Sequence, residues 1–151
     1  QLNIEDFKAD FEINVLGAIK VIKNYFLKLK RSQSGSIVLF SSVAVNQGMP
    51  FHSSIATSKG GIEGLTKSLA AELAPKIRVN CISPTLTNTD LAKKFLRNEQ
   101  ALENISNRHP LKKICEPKNI SSMVNYLLTD DADKITGQIF NIDSGMSSIK
   151  L

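Results

Sequence analysis

Three short runs rich in branched and aromatic residues, SIVLF at 36–40, IRVNCIS at 77–83 and GQIFNID at 137–143, alternate with long stretches of helical periodicity. A strand that is apolar at consecutive positions is expected to be buried on both faces. Strands separated by helices must then pair in parallel through right-handed crossovers. The order helix, strand, helix, strand, helix, strand therefore predicts an α/β protein: a doubly wound parallel sheet of about three strands with flanking helices. Two of the strands run directly into polar residues, Ser41 and Ser42 after the first and Ser144 and Gly145 after the last. Open α/β sheets place ligands at such strand ends.

The first helix is expected from about Ile4 to Lys30, capped by Asn3 with Glu5 and Asp6 in its first turn. Phe7, Phe11, Ala18, Val21 and Tyr25 form its expected apolar stripe, and Asn14 falls on the same stripe. A buried amide must find hydrogen-bond partners or cost the fold about 1–3 kcal/mol, so Asn14 is either a satisfied structural group or part of a site. A turn over SQSGS precedes the first strand. The second helix is expected from Ser53 to Leu73, with Ile62, Leu65, Leu69 and Leu73 inward and Pro75 ending it. The polar stretch from Thr85 to Pro110 is expected to hold a mobile helix near Leu91 to Leu96, and Pro117 opens a last helix through Leu128. No linker or repeat interrupts this order, so residues 1–151 are expected to form a single domain.

Composition narrows the function classes. With 42% hydrophobic and 22% charged residues the chain can build a core. No apolar run approaches the roughly 20 residues of a membrane span, and the first ten residues lack a signal peptide's basic and apolar regions. A cytoplasmic protein without membrane contact is expected. The net charge is +5, but its densest basic run is only KLKR at 28–31, so no nucleic-acid partner is expected. Cys81 and Cys115 are outside any C-x-x-C pattern and read as reduced core residues, with no metal site.

Six stretches in this order and spacing carry a resemblance: INVLGA at 13–18, GSIVLFSSVA at 35–44, ATSKGGIEGLTKSLAAELAP at 56–75, IRVNCISPTLTNTDLA at 77–92, HPLKKICEPKNI at 109–120 and ITGQIFNIDSGMS at 135–147. Together they resemble the C-terminal part of a short-chain dehydrogenase/reductase, an enzyme with a Rossmann-like sheet that moves hydride between NAD or NADP and a small carbonyl or alcohol substrate. The resemblance implies a catalytic group in which Asn14 holds a proton-relay water, Ser42 hydrogen-bonds the substrate oxygen, and Lys59 grips the nicotinamide ribose. It assigns Pro84, Thr87 and Thr89, with Lys59, to the cofactor. It also implies a homo-oligomer formed through the helices at 4–30 and 53–73, and a glycine-rich dinucleotide-binding half lying upstream of this chain.

Two departures stand out. The family's catalytic tyrosine precedes the lysine by four residues and follows the serine by thirteen, and both counts land on Ile55. Residues i and i+4 are neighbours on a helix, so an ammonium there steadies a phenolate; isoleucine cannot exchange a proton. His52, three residues earlier, could carry protons, but its plainer reading is a loop histidine with no chemical role. Thr85 stands where the family has glycine. Gly60, Gly61 and Gly64 sit inside a helical pattern, so their reading is close helix packing, not a phosphate-binding turn. Leu91, Phe95 and Leu96 are candidates for an apolar substrate wall. Two functions follow as expectations: a hydride-transfer enzyme weakened or silenced at position 55, or a noncatalytic module that keeps the scaffold for binding or assembly.

Overall fold

The computed structural model describes residues 2–32 and 34–150; Gln33, within the expected SQSGS turn, lies outside them. Three strands, β1 (Gly35–Phe40), β2 (Ile77–Pro84) and β3 (Ile139–Ile142), form one parallel sheet in the order β1-β2-β3. Side chains alternate across it. Ile37, Leu39, Ile77, Val79 and Cys81 face one core, shared with Val15, Ile62 and Ala70 from the helices on that side. Val38, Ile82 and Phe140 face a second core with Leu127, Met123 and Val124 of α5 (Pro117–Leu128). Helices therefore cover both faces, which is why the strands read as continuous apolar runs. Among the described residues β1 pairs along one edge only, and Phe40 at its end is exposed.

Gly35 is required by the closeness of β1 and β2, because a Cβ there would lie 2.9 Å from Ile77 Cγ1. Asn80, fully buried, donates to the Ile135 carbonyl at 2.8 Å and accepts from the Gln138 amide at 3.0 Å, tying the approach to β3 onto β2. Arg78 secures the end of α5 by donating to the carbonyls of Leu127 and Thr129.

The first helical stretch keeps the expected span but is less regular than its periodicity predicts. α1 (Ile4–Phe11) runs into a π-helical turn, Glu12–Leu16, before α2 (Gly17–Arg31) continues. Asn3 caps α1 by accepting from the Glu5 amide. The π turn holds an extra residue and rotates everything downstream. Val15, Ala18, Ile22 and Leu29 pack on the sheet, while Val21 and Tyr25 of the expected stripe are 59% and 55% exposed and Phe11 is 45% exposed.

α3 (Ser53–Leu73) has the expected bounds, but its most buried row is Ser58, Ile62, Thr66 and Ala70, with Leu65, Leu69 and Leu73 packed at the flank. Small residues let this helix lie close to its neighbours. A Cβ on Gly61 would meet Val15 Cγ2 at 3.2 Å, whereas Gly64 faces open space. Close packing thus explains Gly61 and not Gly64. The helix expected at Leu91–Leu96 is instead a 3-10 turn, Asp90–Lys94, because the α-helix of this stretch is α4 (Glu99–Ser106), capped by the Asn98 side chain. Among the described residues no helix is long and apolar enough to cross a membrane.

Candidate active site

The carboxyl ends of β1 and β2 open onto a cavity of about 550 Å³. Four of the residues that the resemblance assigns to catalysis or cofactor meet there: Ser42, Pro84, Thr87 and Thr89. Ser42 follows β1, and its Oγ accepts the Ala44 amide at 3.2 Å as the chain enters the 3-10 turn Val43–Val45. That bond occupies a lone pair and leaves the hydroxyl proton to be donated elsewhere. Thr87 Oγ donates to the Thr85 carbonyl at 3.0 Å, fixing the loop after β2. Leu91 and Phe95 also line the cavity; Leu96 lines a separate cleft.

Lys59 and Asn14 are close to this opening but not part of its lining. Lys59, on α3, points its Nζ to the carbonyl of Phe40 at 3.0 Å, two residues before Ser42. Burial lowers its pKa below the usual lysine value, opposed in part by Cys81 and Asp10. Asn14 lies in the π turn, and its Nδ2 donates to Ser58 Oγ at 3.1 Å, one residue before the lysine. Ser58 in turn donates to the Ile55 carbonyl at 3.0 Å. Asn14 Nδ2 thus has a partner within an irregular turn, and π turns often sit at functional sites. Ile55 is half-buried one helical turn before Lys59 and is not among the cavity-lining residues.

Beneath the opening, Ser41 donates to Glu63 Oε1 at 2.7 Å, joining β1 to α3. Cys81 is buried in the middle of β2, and burial first of all pushes its thiol up to about 11. Neither cysteine is paired, and both are buried. No group of three or more potential metal ligands occurs among the described residues.

Two histidines belong to the cavity, and sequence reasoning undervalued both. His109 is 2% exposed; its Nε2 lies 2.9 Å from Thr85 Oγ and its Nδ1 3.0 Å from the Ile105 carbonyl. A carbonyl only accepts, so Nδ1 carries the hydrogen and Nε2 takes the threonine proton. The departure from glycine at position 85 is thus matched by a partner 24 residues away. His52 also lines the cavity, from the start of α3. After β3, Ser144 and Gly145 both take left-handed backbone, with φ of 54° and 86°. Glycine suits such positions, and the serine adopts one at some cost in strain.

Comparison with known proteins places this geometry. A family model described as enoyl-(acyl carrier protein) reductase matches residues 1–147. The human protein named dehydrogenase/reductase SDR family member 4 is 32% identical over 145 residues, which are 95% of this chain and 52% of that protein. The chain belongs to the short-chain dehydrogenase/reductase family. Another member, 3-oxoacyl-(acyl-carrier-protein) reductase FabG of Thermotoga maritima, is 34% identical over 143 residues, 94% of this chain and 57% of the relative. The chain thus spans about half the length of the curated relatives it matches, from 37% to 58%. Among solved structures of this family, ligand-free aldohexose dehydrogenase of Thermoplasma acidophilum superposes with a TM-score of 0.92 at 28% identity, covering 100% of this chain and 64% of that one. ElxO with NADP bound gives 0.89 at 27% identity, covering 99% and 61%.

Proposed function

We propose that this chain is the substrate-side portion of an NAD- or NADP-dependent oxidoreductase that interconverts a small carbonyl compound and its alcohol. The observation that carries the reading is the convergence of Ser42, Pro84, Thr87 and Thr89 on one cavity at the strand ends, with the Lys59 ammonium held beside it by the Phe40 carbonyl. Related structures with NADP bound support the cofactor class. The cofactor's nicotinamide, when bound, supplies or accepts the hydride.

The chain's own residues do the rest. Lys59 would present a positive charge and hydrogen-bond donors to the ribose hydroxyls of a bound cofactor. Thr87, Thr89 and Pro84 would form the wall on the nicotinamide side of a bound cofactor. Ser42 donates its free hydroxyl proton to the substrate oxygen, favouring the charge that grows there as hydride arrives. Asn14 steadies the helix behind the lysine through Ser58 and stands where the family holds its relay water. Leu91 and Phe95 exclude water from the apolar side of the substrate.

A second reading has its own support. Ile55 removes the family's proton donor, while Phe11, Ile13, Val21 and Tyr25 on the α1–α2 stretch are exposed. A noncatalytic module that assembles through the helices at 4–30 and 53–73 would use that apolar surface. The two readings separate in one assay: oxidation of NADH or NADPH by the natural full-length polypeptide against a panel of ketones, aldehydes and 3-oxoacyl thioesters. Carbonyl-dependent oxidation that falls roughly 100-fold or more in Ser42→Ala supports the enzyme. No carbonyl-dependent oxidation, with a stable dimer or tetramer by sedimentation, supports the module.

A further inference from the structure

We propose that His52 is the proton donor of this site, exchanging at Nε2 the proton that the aliphatic side chain at position 55 cannot supply. The inference rests on the reading of the site as a nicotinamide-dependent carbonyl reductase.

The turn that carries His52 is built at a cost. The His52 amide donates to the Met49 carbonyl at 3.3 Å, with Pro50 second and Phe51 third in the turn. Phe51 has φ of 64°, the position a type II turn normally gives to glycine. Left-handed backbone costs a bulky residue about 1–2 kcal/mol. The Phe51 ring is 98% exposed and returns almost no packing. Strain of this kind persists where a site requires it. Its result here is an imidazole that lines the same cavity as Ser42.

The ring is also oriented. His52 Nδ1 lies 2.7 Å from the Pro50 carbonyl, which can only accept, so Nδ1 keeps its hydrogen in the neutral and the charged ring alike. Nε2 is left as the nitrogen that gains and loses a proton, with no hydrogen-bond partner among the described residues. His109 cannot take this role because Thr85 and Ile105 occupy both its nitrogens. The other charged group on the cavity wall is Arg108; no carboxylate lines it among the described residues, and Asp6 lines a separate cleft with Phe51 and Ser53. Lys59 lies two helical turns along α3.

In the reducing direction the carbonyl carbon takes a hydride from reduced nicotinamide, and the C=O π pair moves onto oxygen. The imidazolium Nε2–H delivers its proton to that oxygen while Ser42 donates a hydrogen bond. The products are the alcohol, oxidised nicotinamide and a neutral imidazole, which is exposed and takes a proton back from solvent. Oxidation runs the same step backwards, with neutral Nε2 as acceptor.

The test uses the natural full-length polypeptide, first titrated with NADH and NADPH and then assayed across pH with the best substrate of the carbonyl panel. Parent, His52→Gln and His52→Gln/Ile55→Tyr are compared. The proposal expects carbonyl reduction by the parent to fall as pH rises, because only the charged ring carries a hydrogen on Nε2. In His52→Gln it expects kcat roughly 100-fold lower or more, that pH dependence lost, and cofactor affinity unchanged. Adding Ile55→Tyr should recover turnover with the pH dependence moved to alkaline values. Cofactor binding with undiminished kcat and an unchanged profile in His52→Gln overturns the proposal alone, as does binding without any turnover by the parent. Failure to bind either nucleotide overturns the enzymatic reading beneath it as well.

Discussion

The Phe40 carbonyl, last in β1, accepts the Lys59 ammonium at 3.0 Å and so fixes where a charge on α3 meets the end of the sheet. Burial opposes that charge, lowering the lysine pKa. Lys59→Met is therefore expected to leave thermal stability equal or slightly raised, because it removes a charge that the fold desolvates. The same change should weaken NADH or NADPH binding by about tenfold or more, the loss of one charged hydrogen-bonding group. Calorimetry and a fluorescence titration on one preparation check both halves.

Ser58 is 1% exposed and mediates between Asn14 and the Ile55 carbonyl. Ser58→Ala strands the half-buried amide of Asn14 in the π turn. The expected destabilisation is about 1–3 kcal/mol, read from the midpoint of urea unfolding at an unchanged slope.

Thr85 and His109 form a closed pair, each completing the other's hydrogen bonding. Thr85→Val keeps the shape and removes the hydroxyl, leaving a buried Nε2 unpaired at a cost of about 1–3 kcal/mol. Thr85→Ser keeps the bond and should lose less than half as much. Equal losses would show that the methyl packing, not the hydrogen bond, matters here.

Cys81 carries a thiol whose pKa burial raises from 9.0 to about 11. A raised pKa means the folded state disfavours the thiolate. Below about 9 neither state is ionised at this site and its effect on stability is constant; between 9.0 and about 11 the unfolded chain ionises first and stability falls as pH rises. Unfolding free energies across that window should decline less steeply in Cys81→Ala. Native alkylation of Cys81 should be slow until the chain unfolds.

Much of the fold is legible in the sequence because it depends on local signals. SIVLF, IRVNCIS and GQIFNID announce buried parallel strands by their unbroken apolar runs, and Pro75 and Pro117 set the end of α3 and the start of α5. The π turn at Glu12–Leu16 contains no proline, and its one neighbouring glycine gives no sign of it. It moves the packed positions from Val21 and Tyr25 to Ile22 and Leu29. α4 was hidden because its Asn98 cap lies in a polar stretch that reads as loop. At the candidate site, Ser42 and Lys59 are singled out by the family resemblance, and Ser42 lines the cavity with Lys59 beside it. His52 is not legible, since its position depends on Phe51 accepting a left-handed backbone that favours glycine. The pairing of Thr85 with His109 crosses 24 residues and leaves no local pattern.

The account stands or falls on nicotinamide binding at the strand-end cavity. Titration of NADH and NADPH into the natural full-length polypeptide, followed by nicotinamide fluorescence, should give saturable binding of at least one of them. The same titration on Lys59→Met and on Thr87→Ala should give weaker binding. No saturable binding of either nucleotide by the parent would contradict the central claim.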